Sequence, residues 1–277
     1  MKKLQPPKVE SKANYGSINI THCLSLNEIL DHVNPVSSIK PLQMEMINLT
    51  NKTYGQNFGY IHYRKLVPHF KKLKFENIPK DRAIVIINNV FVKEIKKNDL
   101  DFINKDHLTI NVDQKIFQSN VSEYSLDILV ENMGRTTNYG HKIILDQRKG
   151  INGKIFIDDK EMTNWKIFPL EFKQDFVKKL SNVKWRIQCN LNSIPGIYKA
   201  NLVINGQPKD TFLKADGWTK GNAFINGFNV GRYWKVGPQK TLYIPSQLLN
   251  DGNNDVYLFE TVKNSNKIQF VDHEVLE

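Results

Sequence analysis

Short apolar runs that alternate with polar residues dominate the pattern of the chain. A period of two predicts half-buried strands, and these runs recur with turn residues between them. The dipeptides Asn88-Asn89 and Asn226-Gly227 each separate two such runs and favour the tight turn of a β-hairpin. The predicted strands lie at 57–64, 83–87, 90–92, 108–112, 126–130, 154–157, 165–170, 198–204, 211–213, 223–225, 228–234, 241–244, 255–262 and 268–271. This pattern predicts an all-β chain of sandwiches or jelly rolls.

Two short helical patterns interrupt the strands. One lies at 25–33 with Ser25 as its N-cap, and the other spans 170–180. The alternation begins only at about Met46, after a linker rich in proline and serine. The sequence therefore predicts a lead-in and two β-sandwich domains, at 1–44, 45–168 and 169–277.

The charge of the chain is strongly basic, at +11 over 277 residues. Only six of its 39 basic residues are arginine, and the lysines are scattered. Because readers of nucleic acid concentrate arginine on one element, this distribution argues against nucleic-acid binding and favours a solvated basic surface. Binding to anionic glycans or to a membrane surface stays open.

The targeting and covalent signals are few. No apolar run is long enough to span a bilayer, and the first residues lack the apolar core of a signal peptide. Cys23 and Cys189 could form one disulfide or stay free. Sequons for N-glycosylation, which are compatible with a secretory protein, begin at Asn19, Asn48, Asn51 and Asn120.

Three stretches have an order of residues more specific than a hairpin needs. They are Val130-Glu-Asn-Met-Gly-Arg135 with Asn138-Tyr-Gly140, Gly217-Trp-Thr-Lys-Gly221 with Ile225-Asn-Gly227 and Gly231-Arg-Tyr-Trp234, and Gly237-Pro-Gln-Lys-Thr-Leu-Tyr-Ile-Pro245. Together they resemble the C-terminal signature of family-35 glycoside hydrolases, the β-galactosidases of lysosomal and acid type. One extra threonine at 136–137 departs from that pattern. The resemblance covers the chain from about residue 12.

The resemblance implies a fold, an activity and a location. It implies galactose-binding-like β-domains that follow a catalytic (β/α)₈ barrel, and a parent protein that hydrolyses terminal β-galactosides with retention. Such a barrel needs about 250 residues of alternating strand and helix, which this chain lacks, so no catalytic residue is carried over. Whether the chain is itself an enzyme is left open. The family implies a lysosomal or secreted protein.

Aromatic residues of the second domain are the candidates for carbohydrate binding, because sugars stack their C–H faces on exposed rings. These candidates are Trp218, Tyr233 and Trp234, and the alternative is that the tryptophans are buried in a core. Arg135, Gly227 and Arg232 are interpreted as structural residues of the motifs. A sugar contact by Arg135 or Tyr139 is the alternative for that loop. The spacing of the histidines predicts no metal site, and no cofactor motif is present.

Two functional hypotheses follow. The first is a β-region or fragment of a β-galactosidase, inactive alone, that supports a catalytic barrel on the same or a separate chain. The second is a stand-alone module that binds galactosides or a protein partner. Assembly as a homo-oligomer is a further alternative.

Overall fold

The computed structural model describes residues 11–47, 55–96, 109–135, 147–180, 183–187, 189 and 195–277. The chain divides into two compact units. The inserted unit is Leu30–Phe172, and the split unit combines Met1–Ile29 with Lys173–Glu277. Antiparallel strands make up most of the described structure, which confirms the predicted all-β class.

The strands and helices are numbered in chain order. The strands are β1 (Gly16–Ser25), β2 (Val36–Ser38), β3 (Tyr60–Val67), β4 (Lys72–Phe75), β5 (Arg82–Ile87), β6 (Val90–Lys96), β7 (Thr109–Asn111), β8 (Tyr124–Glu131), β9 (Ile155–Ile157), β10 (Lys160–Glu161), β11 (Trp165–Leu170), β12 (Gly196–Ile204), β13 (Thr211–Lys214), β14 (Lys220–Ile225), β15 (Phe228–Trp234), β16 (Thr241–Ile244), β17 (Gly252–Glu260) and β18 (Lys267–Val271). The helices are α1 (Leu26–Leu30) and α2 (Gln174–Leu180), with short 3-10 turns at Met44–Met46, Gln114–Ile116 and Ser246–Leu248.

The inserted unit is a two-sheet sandwich. One sheet has the order β2-β11-β3-β8-β5-β6 and the other β10-β9-β4-β7. Apolar side chains of both sheets form one core, with Tyr63, Val85 and Ile128 from the larger sheet and Leu73 and Ile155 from the smaller. Burial of this shared core explains why each sheet keeps one apolar face.

The split unit contains one eight-stranded sheet, in the order β15-β14-β17-β12-β1-β18-β13-β16. Residues from both halves of this sheet, such as Ala200 and Leu258 from one half and Leu213 and Phe270 from the other, share a single core. The sheet therefore curls upon itself, and its end strands β15 and β16 lie next to each other. This closure covers edges that would otherwise stay open for pairing.

The two hairpin turns adopt the predicted conformation. Asn226 and Gly227 have φ values of 49° and 85°, and Asn88 and Asn89 have values of 49° and 65°. A type I′ turn requires positive φ at both central residues, which asparagine and glycine tolerate best. These turns set the registers Ile225↔Phe228 and Ile87↔Val90.

Residues 16–25, within the predicted lead-in, form the regular strand β1. Strand β1 lies in the middle of the eight-stranded sheet, where it pairs with β12 and with β18. A register shift between Ile20 and His22 breaks the alternation of this strand, and its partners come more than 150 residues later in the sequence. Strand β1, which lies within the predicted lead-in, is thus part of the split unit.

Local signals at the start of α1 are as predicted. The Ser25 backbone N and Oγ both donate to Glu28 Oε2, at 2.8 and 2.7 Å. In return, the Glu28 backbone N–H donates to Ser25 Oγ at 3.5 Å. This reciprocal arrangement of an N-cap serine and a glutamate three residues later is a capping box. Further along, α2 begins at Gln174 rather than at 170, because Leu170 ends β11.

The two cysteines form a disulfide. Cys23 on β1 and Cys189 are bonded, with their Cα atoms 5.6 Å apart and a sequence separation of 166. This bond resolves the alternative that the sequence left open, and it joins the two segments of the split unit.

Candidate functional site

The split unit contains a cleft of about 290 Å³. It lies between the loop after β13, the end of β15 with the loop that leads to β16, and the segment after β18. We call it the Trp234 cleft, and its lining residues are Lys214, Ala215, Asp216, Gly217, Trp218, Tyr233, Trp234, Lys235, Lys240 and Val275. It brings together the three aromatic residues that the sequence predicted for carbohydrate binding.

Two of these aromatics are core residues. Trp218 is 2% exposed, its Nε1 donates to the Lys267 carbonyl oxygen at 2.9 Å, and its ring packs edge-on against Tyr198. Tyr233 is 5% exposed and its hydroxyl donates to the Phe259 carbonyl oxygen at 2.9 Å. Neither ring leaves an exposed face for a sugar, so both form the floor of the cleft.

Trp234 differs from Trp165 and Trp218 in its exposure, and from all three other tryptophans in its hydrogen bonding. It is partly exposed, and the Lys220 ammonium lies 4.4 Å from the ring centroid, over one face. The indole N–H groups of Trp165, Trp185 and Trp218 each donate to a carbonyl oxygen. Within the described residues, the indole N–H of Trp234 has no such acceptor. Trp234 thus lines the cleft with a partly exposed ring and an indole N–H that no described residue accepts.

A buried carboxylate anchors the backbone beside this floor. Glu260 is fully buried, and its two oxygens accept hydrogen bonds from the backbone N–H groups of Thr219, Lys220, Thr261 and Val262. Burial raises the pKa of Glu260, although these four N–H groups favour its charged form. The carboxylate therefore fixes the start of β14 next to the cleft and is not offered to a ligand.

The polar lining of the cleft is basic. Lys214 Nζ lies 2.8 Å from Asp216 Oδ2, and Lys240 Nζ lies 3.1 Å from Glu277 Oε1. Lys240 Nζ also donates to the Lys235 carbonyl oxygen at 2.5 Å. Asp216 is the one carboxylate among the described lining residues. Lys235 and Lys240 both lie in the loop between β15 and β16, whereas Lys214 ends β13. The approach of Lys214 to that loop depends on the tertiary fold and has no local signal in the sequence.

The residues predicted to be structural lie elsewhere. Arg135 donates to Glu45 Oε1 at 2.7 Å and to the Gln147 carbonyl oxygen, contacts of the kind that a structural clamp makes. Gly227 completes the β14–β15 turn, and Arg232 is exposed on β15 opposite Asn222. The alternative sugar contact by Tyr139 lies outside the described residues.

Buried carboxylates of the inserted unit are held by cations. Asp127 lies 2.6 Å from Arg64 Nε and 2.8 Å from His62 Nε2. Burial alone would raise the pKa of Asp127, but the hydrogen bond from His62, the nearby charge of Arg64 and the Ser125 hydroxyl hold it at about 2. The other pairs are Asp81 with Lys149 at 2.7 Å and Glu131 with Arg82 at 3.2 Å. These groups act as structural ion pairs.

Two other kinds of feature are absent from the ranges that the structure describes. Within them, no group of three histidine, cysteine or acidic side chains is arranged to hold a metal ion. No helix there is long and apolar enough to cross a membrane.

Comparison with known proteins assigns the two units. The model of the first all-β domain of β-galactosidase matches residues 48–171, and the model of the β-galactosidase galactose-binding domain matches residues 195–254. The chain is 36% identical over 268 residues to human Beta-galactosidase-1-like protein 2. That alignment covers 96% of this chain and 39% of the relative. It is 31% identical over 271 residues to Beta-galactosidase 1 of Dictyostelium discoideum, which covers 92% of this chain and 38% of that protein. It is also 31% identical over 266 residues to the β-galactosidase of Bos taurus, and that alignment covers 88% of this chain and 37% of the bovine protein.

The fold and these matches define an all-β region of a glycoside hydrolase. The chain belongs to the β-galactosidase family and corresponds to its C-terminal β-domain region. It spans about 39% of the length of the curated relative listed first, so most of that relative lies outside the matched region.

Proposed function

We propose that this chain is the β-region that supports the catalytic barrel of a β-galactosidase, and that it does not hydrolyse galactosides alone. The observation that carries this proposal is the coverage, since 96% of the chain matches a relative of which it spans 39%. By the family resemblance, both catalytic glutamates belong to the barrel. The pairing of Glu260, Asp127, Asp81 and Glu131 with backbone amides or cations supports the same conclusion.

A hydrolysis assay tests this proposal directly. We expect the purified, folded chain to release no product from a chromogenic β-galactoside above the buffer rate, from acidic to neutral pH, because hydrolysis needs two opposed carboxylates. Circular dichroism on the same sample checks that the chain is folded. Turnover that co-elutes with the folded chain in gel filtration would contradict the proposal.

A second function, saccharide binding in the Trp234 cleft, is favoured by one observation. Trp234 combines a partly exposed ring with an indole N–H that has no acceptor within the described residues. Binding sites for small ligands place a few such polar groups among aromatic walls. On this proposal the chain would hold a galactoside with or without a barrel.

Paired tryptophan variants separate a binding role from a core role. We expect Trp234→Ala to abolish the heat of binding of a galactoside in calorimetry and to change the free energy of unfolding by less than about 1 kcal/mol, since this ring is partly exposed. Trp218→Ala should instead lower that free energy by about 3 kcal/mol, because it empties a buried site. Phe228→Ala is the matched control, since Phe228 is an exposed aromatic on the same strand as Trp234 and does not line the cleft. Equal losses of binding in Trp234→Ala and Phe228→Ala would argue against the cleft.

A secreted or lysosomal location is part of the proposal. The disulfide supports an oxidising compartment, since such bonds persist mainly in secreted proteins. Asn19 and Asn120 are exposed, as N-glycosylation of their sequons requires. The barrel that this region supports would lie on the same or a separate chain, and assembly as a homo-oligomer remains a proposal.

A further inference from the structure

We propose that the Trp234 cleft prefers an acidic saccharide, a sugar that carries a carboxylate or sulfate group, over a neutral galactoside. This inference rests on the saccharide binding proposed above and specifies its substrate class.

The lining of the cleft carries three ammonium groups and one carboxylate, those of Lys214, Lys235, Lys240 and Asp216. A neutral sugar offers no charge to such a lining, whereas an anionic group gains attraction from every lysine. Among the described residues, no carboxylate lies within ion-pair distance of Lys235, which is exposed. The net positive charge of the chain, +11, adds a long-range attraction for the same class of ligand.

An anionic ligand can displace the carboxylates that now pair with Lys214 and Lys240. Lys214 and Lys240 are each 27% exposed, whereas their partners Asp216 and Glu277 are 57% and 59% exposed. The carboxylates thus lie on the solvent side of each pair and the ammonium groups on the inner side. Exposed ion pairs contribute little to stability, so an anion on the ligand can replace these carboxylates at small cost.

One ammonium group is already held in position. Lys240 Nζ donates to the Lys235 carbonyl oxygen at 2.5 Å, which restrains a side chain that would otherwise sample many rotamers. A restrained cation loses less conformational entropy when it binds an anion. Lys240 is therefore the residue of the cleft best prepared to contact the acidic group.

Trp234 is the residue of the cleft that would contact the sugar ring. Its indole N–H is a neutral donor, and the ring face away from Lys220 can stack on the C–H face of a pyranose. The ammonium of Lys220, 4.4 Å from the ring centroid, adds positive potential behind the indole. An acidic pyranose would thus meet the stacking ring and the lysines at once, whereas inorganic sulfate would meet the lysines alone.

The test compares four probes by isothermal calorimetry on the complete chain at constant ionic strength. The probes are galactose, galacturonic acid, galactose 6-sulfate and inorganic sulfate. We expect the two acidic sugars to bind at least about tenfold more tightly than galactose and than sulfate. Lys240→Gln should remove most of that preference while leaving the thermal unfolding midpoint unchanged. Lys209→Gln, at an exposed lysine of the same unit outside the cleft, should keep it.

The other outcomes are distinct. Equal affinities for galactose and the acidic sugars would overturn the preference and leave saccharide binding intact. Binding of no sugar would overturn both. If sulfate bound as tightly as galactose 6-sulfate, the sugar would not be recognised. If Lys240→Gln and Lys209→Gln lost the preference for acidic sugars equally, the binding site would not be the Trp234 cleft.

Discussion

Replacement of Cys23 and Cys189 by serine is expected to lower the free energy of unfolding by about 3–5 kcal/mol. The disulfide spans 166 residues of sequence, and a cross-link that closes so long a loop removes a large part of the conformational entropy of the unfolded chain. It also ties β1, a central strand of the sheet, to the second segment of the split unit. No other described covalent bond joins those segments.

Urea unfolding followed by tryptophan fluorescence measures this loss. Reductant supplies the control, because it should destabilise the wild-type protein by the same amount and leave the double serine variant unchanged. A loss below about 1 kcal/mol would mean that the unfolded chain gains little freedom when the bond is absent.

The second large effect is expected for Glu260→Ala, which should cost about 4 kcal/mol or more. The substitution leaves the backbone N–H groups of Thr219, Lys220, Thr261 and Val262 without their acceptor at a fully buried position. Each buried donor left unsatisfied costs about 1–3 kcal/mol, less whatever entering water restores. Glu274→Ala is the control, because Glu274 is exposed and should change stability by no more than about 0.5 kcal/mol. A loss for Glu260→Ala as small as that of the control would contradict the anchoring role.

The pH dependence of stability gives an independent check on Glu260. Because burial raises its pKa in the folded protein, the folded state binds this proton more readily than the unfolded state does. Its contribution to stability is therefore fully present below the unfolded pKa of 4.5 and is lost as the pH rises through the folded value. Glutamine does not titrate. We therefore expect the free energy of unfolding of Glu260→Gln to change less with pH than that of the wild type, between acidic and neutral pH. Identical slopes for the variant and the wild type would contradict the raised pKa.

Turns and hairpins could be predicted from the sequence because their causes are local. Asn226-Gly227 and Asn88-Asn89 favour positive φ whatever surrounds them, and Ser25 with Glu28 forms a capping box from four residues. Alternating apolar residues then set which face of each strand is buried. All of these signals act within a few residues, so they can be recognised without knowledge of the tertiary fold.

The role of β1 could not be predicted in the same way. Its alternation is broken between Ile20 and His22, and its stability comes from partners far along the chain. The same limit applies to the candidate site. The sheet brings separate segments together when it closes, and this determines which side chains are buried. It buries Trp218 and Tyr233, leaves Trp234 partly exposed, and places Lys240 in the cleft.

The division of the split unit has a consequence for the chain while the ribosome is making it. The inserted unit is contiguous, so its sheets can close as soon as its own residues have emerged. Strand β1 must wait, because the residue opposite Gly16 is Phe270 on the last strand. At about 5–20 residues per second, translation leaves β1 without that partner for on the order of ten to fifty seconds. Until Cys189 and strand β12 have also been made, Cys23 is a free thiol on an unpaired strand. The segment around β1 is therefore the part of the nascent chain most dependent on chaperones and most open to mispairing.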